Sequence, residues 1–83
     1  MAWALVYSAA AKKDVEDLDP VIRKRIGKKI LTLQNDPLSH AKKLVDFKPP
    51  LYRFRAGDYR VIFELGKGKI FILRIGHRST IYR

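Results

Sequence analysis

The residues best equipped for chemistry lie in the second half of this 83-residue chain. Arg53 and Arg55 alternate with Tyr52 and Phe54, Arg60 follows Tyr59 just past Gly57-Asp58, and Arg74 sits in a later apolar run. A guanidinium keeps its charge at any physiological pH and presents a planar fork of donors that binds phosphate in bidentate fashion. Such a set suits an anion of the phosphodiester type. Beyond it runs Gly76-His77-Arg78-Ser79-Thr80-Ile81-Tyr82-Arg83, which carries the candidates for proton transfer, His77 and Tyr82. Their unperturbed pKa values are about 6.5 and 10. The other histidine, His40, reads as a surface loop residue, and Lys48 as a further cation just ahead of Arg53.

The elements that must position these residues follow from periodicity. After Pro50 the apolar residues alternate with period two over 51–56, 59–65 and 69–75, which predicts three strands. Gly57-Asp58 and Gly66-Lys67-Gly68 separate them, and glycine supplies the positive φ of tight hairpin turns. A two-residue turn at Gly57-Asp58 sets Arg55 opposite Arg60 and Phe54 opposite Val61. A three-residue turn at Gly66-Lys67-Gly68 then sets Phe63 against Phe71 and Arg60 against Arg74; a two-residue turn would place Phe71 opposite Glu64. Alternation sends Tyr52, Phe54, Tyr59, Val61 and Phe63 to one face and Arg53, Arg55, Arg60 and Arg74 to the other. Like charges directly opposite one another are destabilising by roughly 0.2–1 kcal/mol per pair. Asp58 and Glu64 are too few to neutralise four guanidiniums, so an anion from outside is the expected counter-charge.

The first half reads as one short strand and two helices. Residues 3–7 are rich in strand formers. Ser8 is a plausible N-cap for a helix whose inner face carries Ala11, Val15 and Leu18, with Lys12–Glu16 and Lys13–Asp17 at i,i+4 on the wet side. Asp19-Pro20 restarts the pattern as N-cap and first helical residue. Ile22, Ile26, Ile30 and Leu33 form a core stripe, and Asn35-Asp36-Pro37 ends it. Gly27 costs about 1 kcal/mol relative to Ala in a helix interior, which suggests close approach of another backbone. Residues 38–50 look irregular, with room for a helical turn near His40. The expected fold class is α+β: βααβββ, a small, mainly antiparallel four-stranded sheet packed on an N-terminal helical hairpin, with residues 1–83 as one domain.

Charge narrows the partner. Eighteen Lys and Arg against eight Asp and Glu give a net charge of +10. Residues 1–40 hold seven basic and five acidic side chains, whereas residues 41–83 hold eleven and three. The second half is therefore the one that should meet a polyanion, and nucleic acid is the leading candidate. The absence of cysteine excludes disulfides and thiolate metal sites, and no cofactor or metal is expected. No apolar run approaches the roughly 20 residues of a membrane span, and the first residues lack the basic leader of a signal peptide. A cytoplasmic location without membrane contact is the expectation.

Leu51-Tyr52-Arg53-Phe54-Arg55, Gly57-Asp58-Tyr59-Arg60-Val61, Gly76-His77-Arg78 and Ile81-Tyr82-Arg83, taken in this order with the length and charge, resemble the RelE branch of the RelE/ParE toxin superfamily. The resemblance spans essentially the whole chain. It implies a toxin of a type II toxin–antitoxin pair that cuts messenger RNA in the ribosomal A site, beside the 16S rRNA, and is neutralised by a cognate antitoxin. It further implies that Arg53 and Arg55 grip RNA and ribosome, that Arg60 holds the scissile phosphate, that Arg78 serves the leaving group, and that Tyr82 removes the 2′-hydroxyl proton. RNA carries its own nucleophile beside each phosphate, so alignment, charge stabilisation and proton handling suffice without a metal. Arg78 acts best as a charge stabiliser, because a guanidinium hardly gives up a proton, and His77 is a rival general acid or base. Two other readings share these features: a ParE-type inhibitor of DNA gyrase, and an RNA-binding module without catalysis.

Overall fold

The computed structural model describes residues 3–44 and 48–79. Along the chain run β1 (Ala4–Tyr7), α1 (Ala9–Glu16), α2 (Pro20–Leu33), β2 (Ala41–Leu44), β3 (Leu51–Ala56), β4 (Tyr59–Gly66) and β5 (Lys69–His77). The strands form one sheet in the order β1-β5-β4-β3-β2, parallel only between β1 and β5. The helices cover one face, and among the described residues no helix is long and apolar enough to cross a membrane.

The α+β architecture is the one expected, with one strand more. Residues 41–44, read from sequence as irregular or helical, instead pair antiparallel with β3, Lys42 beside Arg53 and Lys43 beside Tyr52. Ala-Lys-Lys-Leu has little intrinsic strand preference; the open edge of β3 supplies the backbone partners, and two lysines suit an edge strand that must not pair further.

Ser8 caps α1 by accepting from the Ala11 N–H at 3.0 Å, which typically contributes about 1 kcal/mol. Arg23 reaches back from α2 and donates to the carbonyls of Val15, Glu16 and Leu18, satisfying the end of α1 and fixing the hairpin. Ile26, Ile30 and Leu33 of α2 and Ala11 of α1 are buried against Phe54, Val61, Phe63, Ile70, Ile72 and Ile75 of the sheet. Each of the Ile, Leu, Val and Phe side chains among them stabilises the fold by about 1.5–3 kcal/mol relative to exposure. Gly27 has no close backbone neighbour: a Cβ there would meet nothing within 4 Å. It opens instead on an apolar cleft of about 430 Å³ between the helices, lined also by Tyr7, Val15, Leu18 and Ile30.

The β3–β4 hairpin has the expected register, with Arg55 opposite Arg60, Phe54 opposite Val61, and Gly57 at φ +64° in the turn. The β4–β5 register differs. Gly66 pairs with Lys69, so the turn has two residues, Lys67 and Gly68, and Glu64 lies opposite Phe71. Close to Gly66 lies the Phe71 ring, whose edge would be 2.7 Å from any Cβ at that position. A bulge follows: Phe63 pairs with Ile72 but Ile62 with Arg74, leaving Leu73 as the extra residue. This lets Ile70, Ile72 and Ile75 all enter the core, where strict alternation would have sent Arg74 inward with Ile70 and Ile72. It also sets Gly76, not Arg74, opposite Arg60.

Beyond the end of β1, α1 takes over the open edge of β5. The Ser8 hydroxyl donates to the Leu73 carbonyl at 2.9 Å, satisfying an acceptor at the bulge. The Asp14 carboxylate accepts from the Ile75 N–H at 2.9 Å, two residues further on. A helix side chain thus replaces a missing strand partner.

Candidate functional site

Cross-strand register assembles the cationic face. Lys42 is paired with Arg53, and Arg55 with Arg60, which brings three strands' cations together on the side away from the helices. One step past the Ala41–Phe54 pair, His40 comes beside Arg55. His40, Lys42, Arg53, Arg55 and Arg60 line a single cleft of about 170 Å³. His40, Arg55 and Arg60 therefore form a row across the sheet, continued on β5 by Gly76, which has no side chain.

Among the described residues, the guanidiniums of this cleft have no charged partner. Arg55 Nε donates to the Gly57 carbonyl at 3.1 Å, and Arg60 Nη1 to the carbonyls of Gly57 at 3.4 Å and Tyr59 at 3.3 Å. Two arginines thus turn toward one turn carbonyl. Among the described residues, no carboxylate lies within ion-pair distance of Lys42, Arg53, Arg55 or Arg60. Asp58 and Glu64, the acidic residues nearest Arg55 and Arg60 in sequence, are not recruited. A carbonyl dipole compensates far less than a charge, so the cleft is electrostatically prepared for an anion.

The remaining expected residues are distributed differently. Arg74 shares this face by register, but its guanidinium is bound at the opposite edge of the sheet. Its Nε and Nη2 donate to the two oxygens of Asp14 at 2.8 and 3.1 Å. Burial alone would raise the Asp14 pKa. The hydrogen bonds from Arg74 and the Ile75 N–H, with the Arg74 charge, outweigh it and hold the carboxyl below its ordinary value. Arg74 is therefore occupied and does not join the Arg60 cluster.

His77 is paired with Tyr59 in register, two steps from the buried Val61–Ile75 pair, which places it on the helix-facing side of the sheet and not beside Arg60. Its ring meets Tyr59 edge-on at 5.4 Å, and its Nδ1 accepts from the Ser79 N–H at 3.2 Å and lies 2.8 Å from the Ser79 Oγ. Arg78 donates its N–H to the Asp58 carbonyl at 2.8 Å, extending the β4–β5 ladder by one step. Alternation then gives position 78 the side that carries Gly76 and Arg60. Lys48 is exposed ahead of β3 and does not line the cleft. Tyr82 lies outside the described residues.

Three residues escaped the sequence reading: His40, Lys42 and Asp14. His40 and Lys42 carried no readable signal, because their place depends on pairing by a segment with weak strand preference. Asp14 did carry one. It falls three residues after Ala11 and four before Leu18, on the inner side of α1, where a carboxylate needs a partner.

The sequence profile of the family described as "ParE toxin of type II toxin-antitoxin system, parDE" matches residues 5–82. A search of curated protein sequences finds no match. Among solved structures, the RelB–RelE antitoxin–toxin complex from Methanococcus jannaschii is similar at 31% identity, covering 93% of this chain and 94% of that one, with a TM-score of 0.73. The isolated E. coli RelE toxin is similar at 25% identity over 98% of this chain and 92% of that one, with a TM-score of 0.79. The RelBE2 toxin–antitoxin complex of Mycobacterium tuberculosis shares the fold at 23% identity, with 94% and 100% coverage and a TM-score of 0.85. With the toxin profile matching residues 5–82 and these toxins similar over almost the full length of the chain, the protein is a toxin of the type II toxin–antitoxin class and belongs to the RelE/ParE superfamily.

Proposed function

We propose that residues 1–83 form one RNA-cleaving toxin domain of the RelE kind, acting on messenger RNA in the ribosomal A site, without a metal cofactor. The observation that carries this reading is the cleft of Lys42, Arg53, Arg55 and Arg60, gathered on three adjacent strands with no carboxylate in ion-pair range among the described residues. Cations held together against their mutual repulsion need an external polyanion, and RNA supplies both the phosphate and the attacking 2′-hydroxyl. Arg53, Arg55 and Lys42 grip the backbone, with Lys48 at the periphery. Arg60 stabilises charge on the scissile phosphate, and Arg78 stabilises the leaving oxygen. Tyr82 enters by resemblance alone.

The partner that restrains such a toxin is a cognate antitoxin, as in the RelB–RelE complexes to which the chain is similar. The apolar cleft beside Gly27 fits an apolar segment of that partner.

Induced expression followed by primer extension on translated messages tests the reading. Breaks within codons that disappear in Arg60→Ala support it. The match to the ParE profile favours a second reading, inhibition of DNA gyrase. Intact messages together with loss of gyrase supercoiling would decide for that one.

A further inference from the structure

His40 stands where two clefts meet. It lines the cleft of Lys42, Arg53, Arg55 and Arg60, and also a neighbouring cleft of about 350 Å³ with Lys29 and Thr32 of α2 and Phe54 and Arg55 of β3. Among the described residues, the charged groups that line these two clefts with it are Lys29 from α2, Lys42 from β2, Arg53 and Arg55 from β3, and Arg60 from β4. All five are cations that only donate hydrogen bonds and carry no acceptor atom. Cleavage through the 2′-hydroxyl requires a proton acceptor at the reacting atoms. Neutral imidazole has a ring nitrogen that accepts, which the ammonium and guanidinium groups of this cleft lack. His77 lies toward the other face, with its Nδ1 accepting from Ser79.

We propose that His40 is a catalytic residue of the RNA cleavage described above, the group that accepts the 2′-hydroxyl proton. The inference rests on the ribonuclease reading. A phosphate held in the row of Arg55 and Arg60 places the adjoining ribose within reach of the imidazole at the end of that row. The 2′-O–H bond breaks, its proton passes to the His40 ring, and the 2′-oxygen forms a bond to phosphorus. The bond from phosphorus to the 5′-oxygen then breaks with its electron pair, and that oxygen takes a proton from water. The products are a 2′,3′-cyclic phosphate and a free 5′-hydroxyl, and the imidazolium returns its proton to the hydroxide so formed. Arg53, Arg55, Arg60 and Lys42 stabilise the charge that builds on the phosphorane oxygens.

The test is single-turnover cleavage of a defined message on programmed ribosomes between pH 5 and 9, with wild type, His40→Gln, His40→Ala and Tyr82→Phe compared. His40→Gln is expected to slow cleavage about 10²–10⁴-fold. General-base catalysis predicts a fall in the wild-type rate toward acid, which should be absent from His40→Gln, with ribosome affinity within about twofold of wild type. Added imidazole should partly restore His40→Ala. Wild-type rate and acid limb retained in His40→Gln would overturn the inference, as would a loss of rate matched by an equal loss of affinity. Abolition by Tyr82→Phe alone would assign the role to the tyrosine and likewise overturn it. In each of those cases the ribonuclease reading stands, whereas a wild type that cuts no RNA removes both.

Discussion

Two arginine environments on the same face of one sheet have opposite electrostatic character. At the β5 edge, Arg74 meets Asp14 through two hydrogen bonds, and the same carboxylate completes the backbone of Ile75. On β3 and β4, Arg53, Arg55 and Arg60 stand beside Lys42, and the partners of Arg55 and Arg60 among the described residues are backbone carbonyls. The first arrangement closes on itself and stabilises the fold. The second leaves positive charge uncompensated in a cleft, which costs stability unless something binds there. A guanidinium is thus structural or functional according to whether the fold delivers a carboxylate to it.

The contrast predicts separable effects on activity and stability. The largest belongs to Arg60→Ala, which should lower message cleavage by about 10²–10³-fold while the thermal midpoint stays close to that of wild type. Arg74→Gln should leave single-turnover cleavage nearly intact; a loss as large as that of Arg60→Ala would erase the distinction between the two regions.

Asp14→Ala should do the reverse. It strands the Ile75 N–H at the part-buried strand edge, so a loss of about 1–3 kcal/mol is expected in denaturant unfolding, with cleavage per folded molecule retained. Salt titration of RNA binding sharpens the comparison from the other side. Arg53→Gln and Arg55→Gln should each reduce the slope of log K against log salt by about 1, whereas Arg74→Gln should leave it unchanged.

The smallest effect is one of pH. The Asp14 carboxyl has a folded-state pKa below its unfolded one, so folding favours the ionised form. That contribution is complete above the ordinary carboxylate range and is lost as pH falls through the folded value. The stability gap between wild type and Asp14→Asn should therefore be constant near neutrality and close in acid, as read from thermal midpoints across pH. A gap that widened in acid would contradict the assignment.

Much of this was legible in the chain itself. The Ser8 cap, the Ile26, Ile30 and Leu33 stripe, the Gly57-Asp58 turn and the opposition of Arg55 to Arg60 depend on neighbours a few residues apart. Local periodicity and turn chemistry record such relations faithfully. The misread portions have non-local causes. β2 exists because β3 offers it an edge, and the Leu73 bulge exists because Ile70, Ile72 and Ile75 must all be buried while Ser8 and Asp14 satisfy the freed backbone groups.

From the amino-acid order alone come the element types, the sorting of side chains on the β3–β4 hairpin and the excess of positive charge in the second half. The tertiary structure alone decided which arginine would be neutralised, which histidine would stand with the others, and on which side of the sheet His77 would lie. The reason is physical. Alternation fixes a side chain's direction relative to its own strand, whereas charge compensation depends on which distant element packs against that strand's edge. For Arg74 that element is α1, and for Arg60 it is the partnered strand β3, which brought another arginine.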